Sequence, residues 1–230
     1  MQRPKHNILL FTGKPGIGKT TLVSRLVTQL SKHVGVYLTG FFTEEVRVKE
    51  ANRPPHRIGF DVVSLEHDTR NLSLALNKRA PLARIHSTST KDLPRVGQYV
   101  VELESFEAVC VPCMKGVLEQ CQQSLVDENI PGNMQTNITV CVIDEIGKME
   151  LMSNSFKRLV SDLIDRVSKS RQTVLVATIP SARLPDGRRG IPFVDELCSR
   201  PDVDLTEMTY SNRSFLPDQV YQTIISRLPA

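Results

Sequence analysis

The stretch that most restricts what this chain can fold into is Gly13, Lys14, Pro15, Gly16, Ile17, Gly18, Lys19, Thr20, an eight-residue fit to G-x-x-x-x-G-K-[ST]. It follows the apolar run Ile8 to Phe11 and precedes Leu22, Val23, Leu26, Val27 and Leu30 at helical spacing, so the loop must join a buried strand to a helix N-terminus. Glycines at 13, 16 and 18 allow a tight turn that aims successive backbone N–H groups inward, an anion nest at the positive end of the helix dipole. In such a loop Lys19 supplies a point charge for the outer phosphates. The Thr20 hydroxyl is the usual ligand for the Mg²⁺ that bridges them. An ordinary Gly-rich strand-to-helix turn is the plainer reading of the same glycines.

A second stretch fits the first. Ile138 to Ile143 is a β-branched run ending in Asp144 and Glu145, and a parallel strand delivers its last residues to the sheet edge where ligands bind in α/β folds. Asp144 is then the acid that orients Mg²⁺, and Glu145 is placed to orient or deprotonate an attacking water. Alone, an apolar run ending in two acids is as readily a strand meeting a helix. Thr173 to Ile179 is a third core strand, with Thr178 either a sensor of the terminal phosphate or a structural strand-end threonine.

With 230 residues, 40% of them hydrophobic, the chain can bury a core without disulfides, and one domain spanning 1–230 is expected. A net charge of +4 spread along the chain gives no reason to require nucleic acid. Five scattered cysteines suit a reducing compartment, and the four-residue apolar run before the loop is too short for a signal peptide or membrane span. Those features point to a cytoplasmic protein with no membrane contact. Cys110 and Cys113 form a C-x-x-C without a second pair, which reads as buried thiols or, less simply, as a redox or metal pair.

Between the motifs, Val34 to Leu38 reads as a strand that turns at Thr39 and Gly40 into Phe41 to Val48, which pairs with Arg57 to Leu65 in an antiparallel hairpin. Glu44 and Glu45 could work near a phosphate or simply charge a solvated face. Glu66 to Arg95 is polar and basic and reads as a mobile loop with one helical turn near Leu72 to Leu76. Β-character resumes at Val96 to Leu103. A helix capped by Ser105 follows and is expected to kink or break at Pro112. Asp127 to Asn137 reads as a surface loop, and Ser155 to Ser168 as an amphipathic helix. Arg183, Arg188 and Arg189 crowd the loop 181–190 and make it the first candidate for an arginine that closes over phosphates, against a merely solvated loop. A short helix at Val194 to Ser199, a strand near Val203 to Thr206 and a helix from Ser214 to Arg227 complete the chain.

Taken together, Gly13 to Thr20, Gly40 to Arg47, Arg57 to Val63, Arg95 to Val101, Val140 to Leu151 and Asn212-Arg213 resemble the cancer-related nucleoside-triphosphatase family, which has thermophilic bacterial and archaeal members. The blocks lie in order across most of the chain. The resemblance implies a P-loop α/β three-layer sandwich and Mg²⁺-dependent hydrolysis of nucleoside 5′-triphosphates (ATP, GTP, CTP, UTP) to diphosphate and phosphate. It assigns nucleotide contact to Gly13 to Thr20 and to Val140, Cys141, Val142, Ile143, Asp144, Glu145, Ile146 and Gly147. The departures are insertions near 66–95 and 121–137, which leave both motifs whole and could host a protein partner. The residues themselves leave two other readings open. One is a small kinase passing the γ-phosphate to a nucleotide or metabolite, for which no acceptor motif is visible; the other is a nucleotide-gated binding protein.

Overall fold

A computed structural model describes residues 6–50, 54–68, 73–75, 78–85, 93–127 and 137–228. Among the described residues ten strands form one sheet: β1 (Ile8–Thr12), β2 (Val36–Val48), β3 (His56–Asp68), β4 (Ser73–Ala75), β5 (Arg79–Ile85), β6 (Arg95–Val96), β7 (Tyr99–Val101), β8 (Ile138–Asp144), β9 (Thr173–Thr178) and β10 (Val203–Glu207). Five α-helices among the described residues cover it: α1 (Lys19–Leu30), α2 (Leu103–Asp127), α3 (Asn154–Val167), α4 (Pro192–Ser199) and α5 (Leu216–Ile225). The strand order is β10-β1-β9-β8-β2-β3-β5-β7-β6, with β4 paired to β3.

From β10 to β2 every pairing is parallel. The central strands β1, β8 and β9 are buried almost along their whole length because both faces are covered, and successive side chains go to opposite layers, whereas the edge strand β10 is largely exposed. Val140 and Val142 pack with Leu22, Leu26 and Leu30 of α1 and Val220 and Ile224 of α5. Cys141 and Ile143 pack on the other face with α2, α3 and α4. There Phe41, Phe106 and Phe156 meet edge-to-face at centroid distances of 5.3 to 5.8 Å, tying β2, α2 and α3 together.

The three-layer arrangement is the expected one, and the antiparallel addition is larger than a hairpin. The segment read as a mobile loop carries strands β4 and β5 in its described part, and Ser73 to Ala75 is extended where a helical turn was expected. Leu72, Leu76 and Arg70 lie outside the described residues. Β5 buries Leu82 and Ala83 in succession, where its register with β3 shifts between Phe60 and Asp61, so no alternation marks it within a basic segment. Two further boundaries differ. Β2 does not turn at Gly40 but runs on through it. Α2 starts at Leu103, before Ser105, and runs through Pro112. Cys110 and Cys113 sit one turn apart on its buried side, and desolvation pushes the Cys110 thiol well up. No cluster of potential metal ligands of His, Cys, Asp or Glu occurs among the described residues. None of the described helices is long and apolar enough to cross a membrane.

Candidate active site

Strand register gathers the two motifs at one edge. Phe11 of β1 pairs with Thr178 of β9, Ile143 of β8 with Ala177 of β9, and Phe42 of β2 with Asp144. Β9 thus lies between the strand that feeds the Gly-rich loop and the strand that ends in the acids. Beyond the strand ends, Ile146 N–H donates to the Thr178 carbonyl at 2.8 Å, and Ile179 N–H to the Phe11 carbonyl at 2.9 Å. Backbone bonds therefore fix the spacing between the loop and the acids before any side chain is considered.

The loop opens α1 with Gly18 as N-cap in the left-handed region (φ 112°), and Ile17 anchors it in the core. Lys19 folds back over the loop. Its Nζ donates to the Gly13 carbonyl at 3.2 Å and stands 3.7 Å from Glu145 Oε2, with the side chain only 12% exposed. Lys14, Pro15, Gly16 and Thr20 face solvent at the mouth.

Asp144 is almost fully buried. Its Oδ1 accepts the Thr178 hydroxyl, while Oδ2 is buried without a hydrogen-bond partner among the described residues. Burial pushes its carboxyl up, against the pull of Thr178, Thr20 and Lys19. An orphaned buried carboxylate oxygen is costly unless something binds it. A hydroxyl and a carboxylate are hard oxygen donors suited to Mg²⁺, so Thr20 and Asp144 fit the ion that the sequence implies. Thr178 is the residue that holds Asp144; a threonine at a strand end gave no hint of that contact.

Glu145 is half-buried, and desolvation raises its carboxyl, with Lys19 opposing and Asp144 adding to the rise. Beside it is an acid that sequence reasoning missed. Glu150, only 6% exposed, accepts the Gly147 N–H at 3.1 Å. A Cβ at Gly147 would stand 2.9 Å from Glu150 Oε2 and 3.1 Å from Glu145 Oε1, so both carboxyls converge on a glycine that leaves them room. The available signal was an acid three residues after Gly147, just before the apolar Leu151 and Met152.

Burial first, then the charge of Glu145, pushes Glu150 up to about 8. The folded chain therefore holds a proton that the unfolded chain releases above the ordinary glutamate value, and stability falls as pH rises from there through about 8. Glu150→Gln cannot ionise. Thermal melts of this variant should gain on the parent protein by a few kcal/mol, roughly 5–10 °C, at pH 8.5. At pH 5 the two should melt together; a pH-independent difference would contradict the buried-acid account.

Of the three loop arginines, only Arg183 lines the cleft beside Glu145. Arg189 is buried and occupied, with Nε donating to the Pro180 carbonyl at 3.1 Å and its backbone N–H to Asp195 at 2.7 Å. Arg188 pairs with Asp186 on the surface. Glu44 and Glu45 are engaged by Arg79, Arg47 and Arg57 on the sheet extension, the solvated-face reading of that pair.

Val140 to Ile143 are buried in the sheet and position the acids from behind, and Ile146 is likewise core. The cleft that contains Lys19, Glu145 and Gly147 has a volume of about 330 Å³. A second cleft, about 310 Å³, lies across the loop and is lined by Gly16, Gly18, Thr21, Arg25, Arg213 and Ser214, among others.

Comparison with known proteins shows the family. A family model described as NTPase matches residues 8–221. The human cancer-related nucleoside-triphosphatase is 37% identical over 215 residues, covering 92% of this chain and 94% of the human one. The nucleoside-triphosphatase THEP1 of Aquifex aeolicus is 31% identical over 220 residues, covering 96% and 98%. The solution structure of a human cancer-related nucleoside triphosphatase superposes with a TM-score of 0.66 at 35% identity, covering 96% of this chain and 98% of that one. The crystal structure of THEP1 from Aquifex aeolicus gives 0.63 at 30% identity, covering 92% and 95%. This chain belongs to the nucleoside-triphosphatase family of the THEP1 and cancer-related proteins.

Proposed function

We propose that this protein hydrolyses nucleoside 5′-triphosphates to the diphosphate and phosphate with Mg²⁺. The observation that carries the reading is the meeting of Lys19, from the Gly-rich loop, with Glu145, from the end of β8, at 3.7 Å across an intervening strand. The reacting phosphate belongs in the cleft that holds Glu145. The nucleoside then extends over the loop into the second cleft, whose side chains include the guanidinium groups of Arg25 and Arg213 and the hydroxyls of Thr21 and Ser214 and, among the described residues, no carboxylate or amide. Such a lining suits ribose and phosphate oxygens more than one base edge, which supports broad use of ATP, GTP, CTP and UTP.

Hydrolysis asks the protein mainly for positioning and charge. Loop N–H groups and Lys19 hold the outer phosphates. Thr20 and Asp144 would hold Mg²⁺, which neutralises charge developing on the phosphate oxygens when bound. An incoming phosphate competes with Glu145 for Lys19, releasing the carboxylate to orient water and accept its proton. Because burial raises Glu145, the acid limb of activity should lie above the ordinary 4.5 of a glutamate.

Phosphate release from the four triphosphates, with and without Mg²⁺, tests this directly. Glu145→Gln should keep nucleotide binding yet slow release at least about tenfold, some 1.4 kcal/mol of transition-state stabilisation. Release at the parental rate would remove Glu145 from the base role.

A further inference from the structure

The cleft beside Glu145, about 330 Å³, is lined well beyond its phosphate end at Gly13, Gly16 and Lys19. Besides the polar Lys148, Glu150, Ser181 and Arg183, its lining away from the loop includes Thr43 of β2, Phe60 of β3, Leu82 of β5, Val96 of β6, Met149 and Ile191. Five of these six are apolar and offer nothing to a magnesium triphosphate. Four come from strands β2, β3, β5 and β6, the side of the sheet that carries the antiparallel addition. The wall is also preformed: Arg57 stacks over the Phe60 ring at 4.9 Å, and Tyr99 meets it edge-on at 5.4 Å.

We infer that this chamber binds a second substrate, a small alcohol with an apolar body, and that the enzyme transfers the γ-phosphoryl group to its hydroxyl. The inference rests on the triphosphatase reading for its donor. The alcohol oxygen attacks the γ-phosphorus, the bond from that phosphorus to the β,γ-bridging oxygen breaks, and its electron pair leaves with the nucleoside diphosphate. The hydroxyl proton passes to Glu145, which serves water and alcohol alike. Nothing in the far part of the chamber is needed when water is the acceptor, so hydrolysis proceeds when the chamber is empty of alcohol.

Methanol, ethanol, propanol and butanol are suitable probes, each added with Mg²⁺ and γ-labelled ATP, with labelled alkyl phosphate and inorganic phosphate counted separately. An apolar chamber predicts that each added methylene raises the alkyl phosphate share by about three- to fourfold, the effect of burying one CH₂. Val96→Trp fills the far end from a half-buried strand position away from the loop and the acids. It should abolish the rise of the alkyl phosphate share with chain length. Label in inorganic phosphate alone, or alkyl phosphate in mere proportion to bulk alcohol with no dependence on chain length, would overturn the acceptor chamber and leave the hydrolase standing. No release of label to either acceptor would overturn both readings, and the alcohol series on the unmodified protein decides the matter even if Val96→Trp fails to fold.

Discussion

Lys19→Ala should lower kcat/KM for triphosphate hydrolysis by about 100- to 1,000-fold, some 2.7–4 kcal/mol, the scale on which one preorganised charge contact to a transition state acts. Lys19 is held for that task. Its side chain is mostly buried, and its ammonium is aimed by the Gly13 carbonyl on one side and Glu145 on the other. Water has little access to screen it, so its field on a phosphate is strong. Lys19→Arg should rescue little, because a planar fork does not fit where a compact point charge is packed. The loss also has a second signature. Lys19 is the group that offsets the desolvation of Glu145, so removing it should push Glu145 higher and move the acid limb of any residual activity to higher pH. Steady-state kinetics across pH, with nucleotide binding by calorimetry, would show both effects. Turnover within a few-fold of the parent would mean that phosphates do not lie on this loop.

What the sequence discloses about such a site follows from which interactions are local. The Gly-rich loop is legible because glycine spacing, the preceding apolar run and the helical pattern all lie within 23 residues, and Asp144 and Glu145 because they end a run too apolar for anything but a buried strand. Β9 lying between β1 and β8 is a matter of sheet order, which no local pattern carries. Thr178 reaching Asp144 depends on that order, as does its role. Glu150 was hidden for another reason. An acid before a helix reads as a solvated first-turn charge, and only the approach of the Gly147 backbone makes it a buried partner of Glu145. The basic segment misled in the opposite sense, since Arg79 and Arg84 gave it the composition of a loop. In the fold they meet Asp61 from the neighbouring strand, a pairing that composition cannot anticipate.

Gly40→Ala should remove most of the stability of the chain. Gly40 lies mid-strand in β2, opposite Val142 of β8 and Leu65 of β3, with φ at +114°. A Cβ there would stand 2.0 Å from the Val142 carbonyl oxygen and 2.8 Å from its nitrogen. Both are backbone atoms of a central strand held on its other side by β9, so neither can move aside without breaking ladder bonds. Backbone strain at positive φ adds about 1–3 kcal/mol to that overlap, and the sum exceeds about 4 kcal/mol, against a typical domain stability of 5–15 kcal/mol. Gly116→Ala is the matched control. It lies in α2 with open space around its Cα, and should stabilise by roughly 0.5–1 kcal/mol through helix propensity alone. Urea or thermal unfolding of the pair separates a steric demand from a general intolerance of glycine replacement. Should Gly40→Ala fold, the strain falls two residues from the pairing of Phe42 with Asp144, and activity should suffer beyond the loss of folded protein. A midpoint near that of the parent would mean that β2 and β8 do not approach as closely as this sheet requires.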